Sequence, residues 1–126
     1  MKVLLVNGSP HHRGCTYTAL EEVSAELMKC GIETEHFWIG TKPTMGCIAC
    51  YKCMESKRCW NDEDKVNEFI AKVGKCDGFV FGTPIYYAGL SGQLKSFLDR
   101  AFVCKSSLYS GKPAAAVVSC RRGGSM

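Results

Sequence analysis

The chain alternates between short apolar runs and longer amphipathic stretches. Val3-Leu4-Leu5-Val6 is an unbroken apolar run, so residues 2–7 are expected to form a strand buried on both faces. Residues 16–30 follow a helical period. Ala19, Leu20, Val23, Leu27 and Met28 mark the inner face, Glu21, Glu22, Glu26 and Lys29 the outer one, and Gly31 is a stop. Residues 32–39 alternate and predict a second strand at a sheet edge, with His36 half exposed. Residues 62–74 predict a second helix, capped by Asn61 or Asp62, that buries Val66, Phe69, Ile70 and Val73. Phe79-Val80-Phe81, within 77–82, predicts a short buried third strand. Residues 92–104 predict a third helix with Leu94, Phe97, Leu98, Ala101 and Phe102 inward. Ala114-Ala115-Ala116-Val117-Val118, within 113–120, predicts a buried fourth strand. Long loops are expected at 40–60 and 83–91, and a polar connection at 105–112.

Regular alternation of strand and helix argues an α/β fold, a parallel sheet between two helical layers. Ligands of such sheets bind at the carboxyl ends of the strands, where the winding reverses. The segments after strands one, three and four leave from those ends, and they are the ones rich in glycine, hydroxyl or aromatic residues.

The first of these segments is Asn-Gly-Ser-Pro-His-His-Arg-Gly-Cys-Thr, residues 7–16. Gly8 is expected to let the chain leave the strand in a backbone shape that other residues resist. Ser9 and Thr16 offer hydroxyls and Arg13 a fixed charge. The first-turn amides of the following helix have no intrahelical acceptor. This combination suits an anion, most naturally one phosphate. Gly-x-x-x-x-Gly-Lys-Ser/Thr is absent, and no Gly-x-Gly-x-x-Gly follows the first strand, which argues against triphosphate and dinucleotide loops. In Thr83-Pro84-Ile85-Tyr86-Tyr87, Pro84 stiffens the backbone and the tyrosines offer aromatic faces with a polar tip, a setting for a planar ring.

Composition narrows the class. A chain of 126 residues suffices for one domain with a core. The net charge of +4 is small, and no basic run interleaved with aromatics points to nucleic acid. The apolar stretch after Lys2 is too short for a secretory signal, and no segment is long enough to cross a membrane, so a cytoplasmic location is expected. Nine cysteines, an odd number, do not fit a secreted disulfide scaffold. Cys47, Cys50, Cys53 and Cys59 are spaced Cys-x2-Cys-x2-Cys-x5-Cys. A [4Fe-4S] cluster, zinc, and free or disulfide-forming thiols are all compatible with that spacing. Cys30, Cys76, Cys104 and Cys120 end helices or strands and are expected to be buried packing residues. Asp99 and Arg100 are expected to serve packing or surface pairing.

Four motifs together carry a family resemblance. Asn-Gly-Ser-Pro at 7–10, Gly-Thr-Pro-Ile-Tyr-Tyr at 82–87, Leu-Lys-Ser-Phe-Leu-Asp-Arg at 94–100 and Gly-Lys-Pro-Ala at 111–114 resemble the NADPH-dependent FMN reductase family. Within it, the likeness is greatest to iron-sulfur flavoproteins and multimeric flavodoxins. The resemblance implies a flavodoxin-like fold, bound FMN, NAD(P)H as hydride donor, and a homodimer or larger assembly. It places Ser9, Pro10, Arg13, Gly14, Cys15, Thr16 and Tyr17 around the phosphate. Pro84, Ile85, Tyr86 and Tyr87, with Cys120, Arg121, Arg122, Gly123 and Gly124, would lie around the isoalloxazine. The flavin carries the hydride chemistry, so no catalytic side chain is required. The four spaced cysteines match the iron-sulfur flavoprotein motif. The electron acceptor stays open, and so do a non-enzymatic electron carrier and a cysteine-based redox sensor. A flavodoxin-like sheet has five parallel strands in the order 2-1-3-4-5. Only four are found here, giving 2-1-3-4, so residues 1–126 are expected to form a single domain that is incomplete at its C-terminal side.

Overall fold

The computed structural model describes residues 1–123. Strand β1 (Lys2–Asn7) pairs in parallel with β2 (Glu33–Trp38) on one edge and β3 (Gly78–Tyr86) on the other. A strand flanked on both edges and faces must be apolar throughout, and Val3 to Val6 are all buried. Leu4 and Val6 join one core and Val3 and Leu5 the other, as the period of two requires. The first core lies under α3 (Val66–Val73) and α4 (Gly92–Cys104) and is built on Phe37, Phe69, Phe79 and Phe97. The second lies under α1 (Cys15–Lys29) and is centred on Leu20 and Val80.

The sheet is completed by a two-residue β4 (Gly89–Leu90) and by β5 (Ala114–Ser119). The parallel strands take the order β2-β1-β3-β5, which is 2-1-3-4 counted among themselves. The expected flavodoxin-like architecture is therefore present, with one correction. Among the described residues the sheet contains five strands rather than four, because β4 folds back antiparallel on the end of β3. The third strand does not stop at residue 82. Thr83 and Pro84 pair with Val118 and Ser119 of β5, and Ile85 and Tyr86 pair with Leu90 and Gly89. Tertiary pairing here overrides the loop-like composition of 83–91.

Other corrections have local causes. The fourth strand is not buried: Ala114, Ala115, Ala116 and Val118 are exposed, because β5 pairs only with β3 and its far side lacks cover among the described residues. The second helix starts at Val66, not near 62. The side chain of Asn61 accepts from the Glu63 amide and that of Asp64 from the Val66 amide, forming Asx turns that delay the helix. The long loop contains one helical turn, α2 (Cys53–Ser56). Met28 turns outward, while Thr16 and Ser24 are buried with Leu20. Phe102 is 38% exposed, because it borders the uncovered side of β5. Cys30 and Cys120 are exposed, whereas Cys76 and Cys104 are buried as expected. His36 is half exposed and faces Glu21, with Nε2 2.6 Å from its carboxylate.

Candidate functional site

Three strand ends converge where α1 begins. The amide of Gly8 donates to the carbonyl of Gly82 at 2.8 Å, joining the segments after β1 and within β3. The Ser91 hydroxyl donates to the Gly8 carbonyl at 2.9 Å and accepts from the Leu94 amide, so the cap of α4 also braces this corner. The hydroxyls of Thr16 and Ser119 lie 3.0 Å apart, bringing the end of β5 to the first turn of α1.

Gly8 has a role here that its sequence context did not reveal. It does not adopt a positive φ. A Cβ there would lie 2.7 Å from Leu94 Cδ2 and 3.0 Å from the Gly82 carbonyl, so close approach excludes a side chain.

The turn from β1 into α1 is braced throughout. Asn7 is buried; its carboxamide oxygen accepts from the Ser9 amide and its NH2 donates to the His12 carbonyl. Ser9 is buried too, and its hydroxyl oxygen accepts from the His11 amide at 3.1 Å, leaving its own proton to give. Trp38 Nε1 donates to the Ser9 carbonyl at 2.8 Å, and the His12 ring stacks on Trp38 at 4.4 Å. Gly14 is the N-cap of α1 and uses no side chain there, so the amides of Cys15, Thr16 and Tyr17 have no intrahelical acceptor. Arg13 is exposed and lies over the Tyr17 ring. Pro10 and Gly14 are half-buried and Cys15 exposed. A hydroxyl, three helix-start amides without intrahelical acceptors and an exposed guanidinium thus all belong to the β1–α1 turn, groups of the kind that can donate to an anion.

At the same end of the sheet lies the β3–β4 hairpin. Pro84 and Ile85 are half-buried, while Tyr86 is 51% exposed and Tyr87 fully so. Tyr87 and Ala88 occupy the two central turn positions with φ of 49° and 62°. Turns with two left-handed residues favour Asn and Gly, and tyrosine and alanine are strained there. Cys120, Arg121, Arg122 and Gly123 follow β5 and are exposed; Gly124 lies outside the described residues.

The cysteine segment forms a second cluster, in the α3–α4 layer. Cys47, Cys50, Cys53 and Cys59 all line one cavity of about 30 Å³, together with Arg100 and Cys104. Cys53 and Cys59 are buried, and Cys47 and Cys50 reach the surface. Among the described residues, no three His, Cys, Asp or Glu side chains converge closely enough to hold a single metal ion. Burial, followed by hydrogen bonding to Cys53, pushes the Cys104 thiol up to about 12, so it stays protonated at neutral pH.

Of the two expected roles, packing or surface pairing, Arg100 takes the first: it is 2% exposed, and it binds the cysteine segment at four points. Nε donates to Cys59 Sγ at 3.3 Å and Nη2 to the Asn61 carbonyl at 2.9 Å. Nη1 donates to the Met45 carbonyl at 3.3 Å and to the Asp64 carboxylate. Burial disfavours the guanidinium charge, but the bonds to Asp64 and Cys59 outweigh it and hold the group above its ordinary value. Gln93, two turns earlier on α4, donates to the carbonyls of Gly40 and Lys42. Asp99 pairs with Lys95 at the surface, as expected.

Residues 1–126 match the NADPH-dependent FMN reductase family along their whole length. An iron-sulfur flavoprotein of Methanocaldococcus jannaschii is 37% identical over 101 residues, covering 80% of this chain and 52% of that protein. An iron-sulfur flavoprotein of Clostridioides difficile is 30% identical over 121 residues, covering 94% of this chain and 54% of that protein. Among solved structures, an apo NADH:FMN oxidoreductase aligns with a TM-score of 0.70 at 22% identity, over 98% of this chain and 60% of that one. The chain thus spans about half the length of the relatives it matches. With the expected parallel order, the three converging strand ends and a match over residues 1–126, the chain belongs to the NADPH-dependent FMN reductase family.

Proposed function

We propose that this protein is an FMN-dependent oxidoreductase that takes electrons from NAD(P)H and delivers them through bound FMN to a small-molecule or protein acceptor. The observation that carries this reading is the donor-rich turn at the start of α1, set at the same sheet end as the β3–β4 hairpin. The donors fit one phosphate: the Ser9 proton, the amides of Cys15, Thr16 and Tyr17, and Arg13. Thr16 contributes through its amide, since its hydroxyl is engaged with Ser119. The backbone of Pro84 to Tyr87 and of 120–123 would flank the ring, and the tyrosines would shield it from water. When bound, FMN supplies the hydride-accepting ring, and the protein's part is to hold and orient it.

A titration of apoprotein with FMN tests this. Ser9→Ala with Arg13→Gln removes two donors to a charged group, so affinity is expected to fall by roughly 2–4 kcal/mol while the melting temperature changes little. Unchanged FMN affinity in that variant would remove the phosphate assignment. Absence of flavin binding by the unmutated protein would remove the function.

A second reading concerns the cysteines. A [4Fe-4S] cluster held by Cys47, Cys50, Cys53 and Cys59 is supported by their sharing one cavity. Their Cys-x2-Cys-x2-Cys-x5-Cys spacing is of the kind that reaches several corners of one cluster. Such a cluster would add one-electron transfer to the flavin's hydride chemistry. About four iron per chain in anaerobically purified protein is the expected result.

A further inference from the structure

The ion pair of Arg100 and Asp64 is almost fully enclosed, with side chains 1% and 5% exposed. Burying a charged pair is costly, and replacing it with apolar residues often costs nothing, so fold stability alone is a weak reason for it. All the acceptors of Arg100 lie between residues 45 and 64, the segment that carries the spaced cysteines. Cys59 does not need Arg100 to place its backbone. The Cys59 amide donates to Asn67 Oδ1 at 2.8 Å and its carbonyl accepts from Asn67 Nδ2 at 2.9 Å. What Arg100 adds is an N–H at 3.3 Å from the sulfur, and a positive charge behind it whose orientation Asp64 fixes. Among the described residues, Cys59 is the one member of the four whose sulfur accepts from a charged donor.

We propose that Arg100, oriented by Asp64, is a positioning residue for the cysteine cavity: it aims an N–H and a buried positive charge at Cys59 Sγ, favouring that sulfur as an anionic cluster ligand. The inference rests on the cluster reading above. A ligating thiol is deprotonated, and its negative charge is disfavoured in a buried site unless paired. Hydrogen bonds to the sulfurs and the net local charge set a cluster's reduction potential. Reduction adds an electron to the site, so a fixed cation nearby favours the reduced form and raises the potential. Asp64 opposes that effect while holding the cation in place.

The test compares Asp64→Asn with the double variant Asp64→Asn/Arg100→Gln, in intact protein reconstituted anaerobically with iron and sulfide. The double variant leaves no lone buried charge. Circular dichroism and flavin content report the fold, iron counting reports loading, and an EPR-monitored titration reports the potential. Asp64→Asn is expected to keep its iron and show an unchanged or more positive potential. The double variant is expected to shift to more negative potential than Asp64→Asn and to lose part of its iron. Equal potential and equal iron in the two variants would overturn the proposal. Should either variant not fold, Arg100→Lys compared with the unmutated protein takes their place. Lysine keeps the charge but not the Nε donor, so a drop in iron loading is expected, and loading equal to the unmutated protein overturns the proposal. If the unmutated protein takes up no iron, the cluster reading falls and this inference with it; a loaded unmutated protein with insensitive variants removes the inference alone.

Discussion

The Gly8 amide donates to the Gly82 carbonyl at 2.8 Å, and neither glycine has room for a methyl group. A Cβ on Gly82 would lie 2.8 Å from both Leu20 Cδ1 and Thr16 Cγ2. It would push against the first turn of α1, the turn whose amides we propose hold the phosphate. Gly82→Ala is therefore expected to cost about 1–3 kcal/mol, as overpacking does, and to weaken FMN binding at the same time. Denaturant unfolding with a parallel FMN titration checks both. Stability and affinity equal to the parent would show that α1 yields freely and that the close approach has no consequence.

The hairpin tip makes a prediction of opposite sign. Ala88 has φ of 62°, a conformation that costs an L-residue about 1 kcal/mol or more and costs glycine almost nothing. Ala88→Gly is expected to raise stability by up to about 1 kcal/mol, less the extra chain entropy of glycine when unfolded. A fall in melting temperature would show that Ala88 is not strained.

Much of this architecture was legible in the sequence, for reasons that can be stated. Val3 to Val6 read as a doubly covered strand, and the period of Val66, Phe69, Ile70 and Val73 as one face of a helix, and both are so in the structure. The turn from β1 into α1 was legible because glycine, hydroxyl and helix start fall together. The extension of β3 was not, because Thr83 and Pro84 join the sheet only through partners 35 residues away in β5. Of the two roles open to Arg100, packing or surface pairing, the structure shows packing. Helical spacing sets it beside Phe97, Ala101 and Cys104, all buried, and that placement was the available signal. Its partner Asp64 lies on another element, so no local pattern could supply it. Cys30 and Cys120 show the converse error, since an apolar thiol at the end of an element need not face the core.

A charge network spans β1, β2 and α3. Lys2 Nζ lies 2.7 Å from one Glu35 oxygen and Lys72 Nζ 2.5 Å from the other. These two lysines hold the Glu35 carboxyl below its ordinary value of 4.5. Its protons bind more tightly in the unfolded chain, so the pair's stabilisation is present above pH 4.5 and is lost as pH falls through the lower folded value. Glu35→Gln is expected to lower the melting temperature at neutral pH. The difference from the parent should shrink as the pH drops below 4.5. A difference that stays constant from neutral to strongly acidic pH would sink the linkage.

The last prediction concerns the edge of β5. Its register with β3 runs from Ala114 to Ser119, and its other edge has no partner among the described residues. On the face shared with α4, Ala116 and Val118 border an open apolar groove with Phe81, Leu98 and Phe102. Alanines and valines exposed on a strand with a free edge form a template for pairing with other chains. We propose that residues 1–126 are one part of a longer flavodoxin-like unit, whose further strand pairs with β5 and whose helix fills this groove. Relatives about twice as long are consistent with that proposal. Hydrogen exchange on the 126-residue chain, measured at several concentrations, tests it. The amides of Ala114 to Val118 are expected to exchange quickly in a dilute monomer and to gain protection as the concentration rises and edges pair. In the longer protein the same amides are expected to be protected at every concentration. Strong protection of β5 in a demonstrated monomer of 126 residues would mean that four parallel strands suffice, and the proposal of a longer unit would then be wrong.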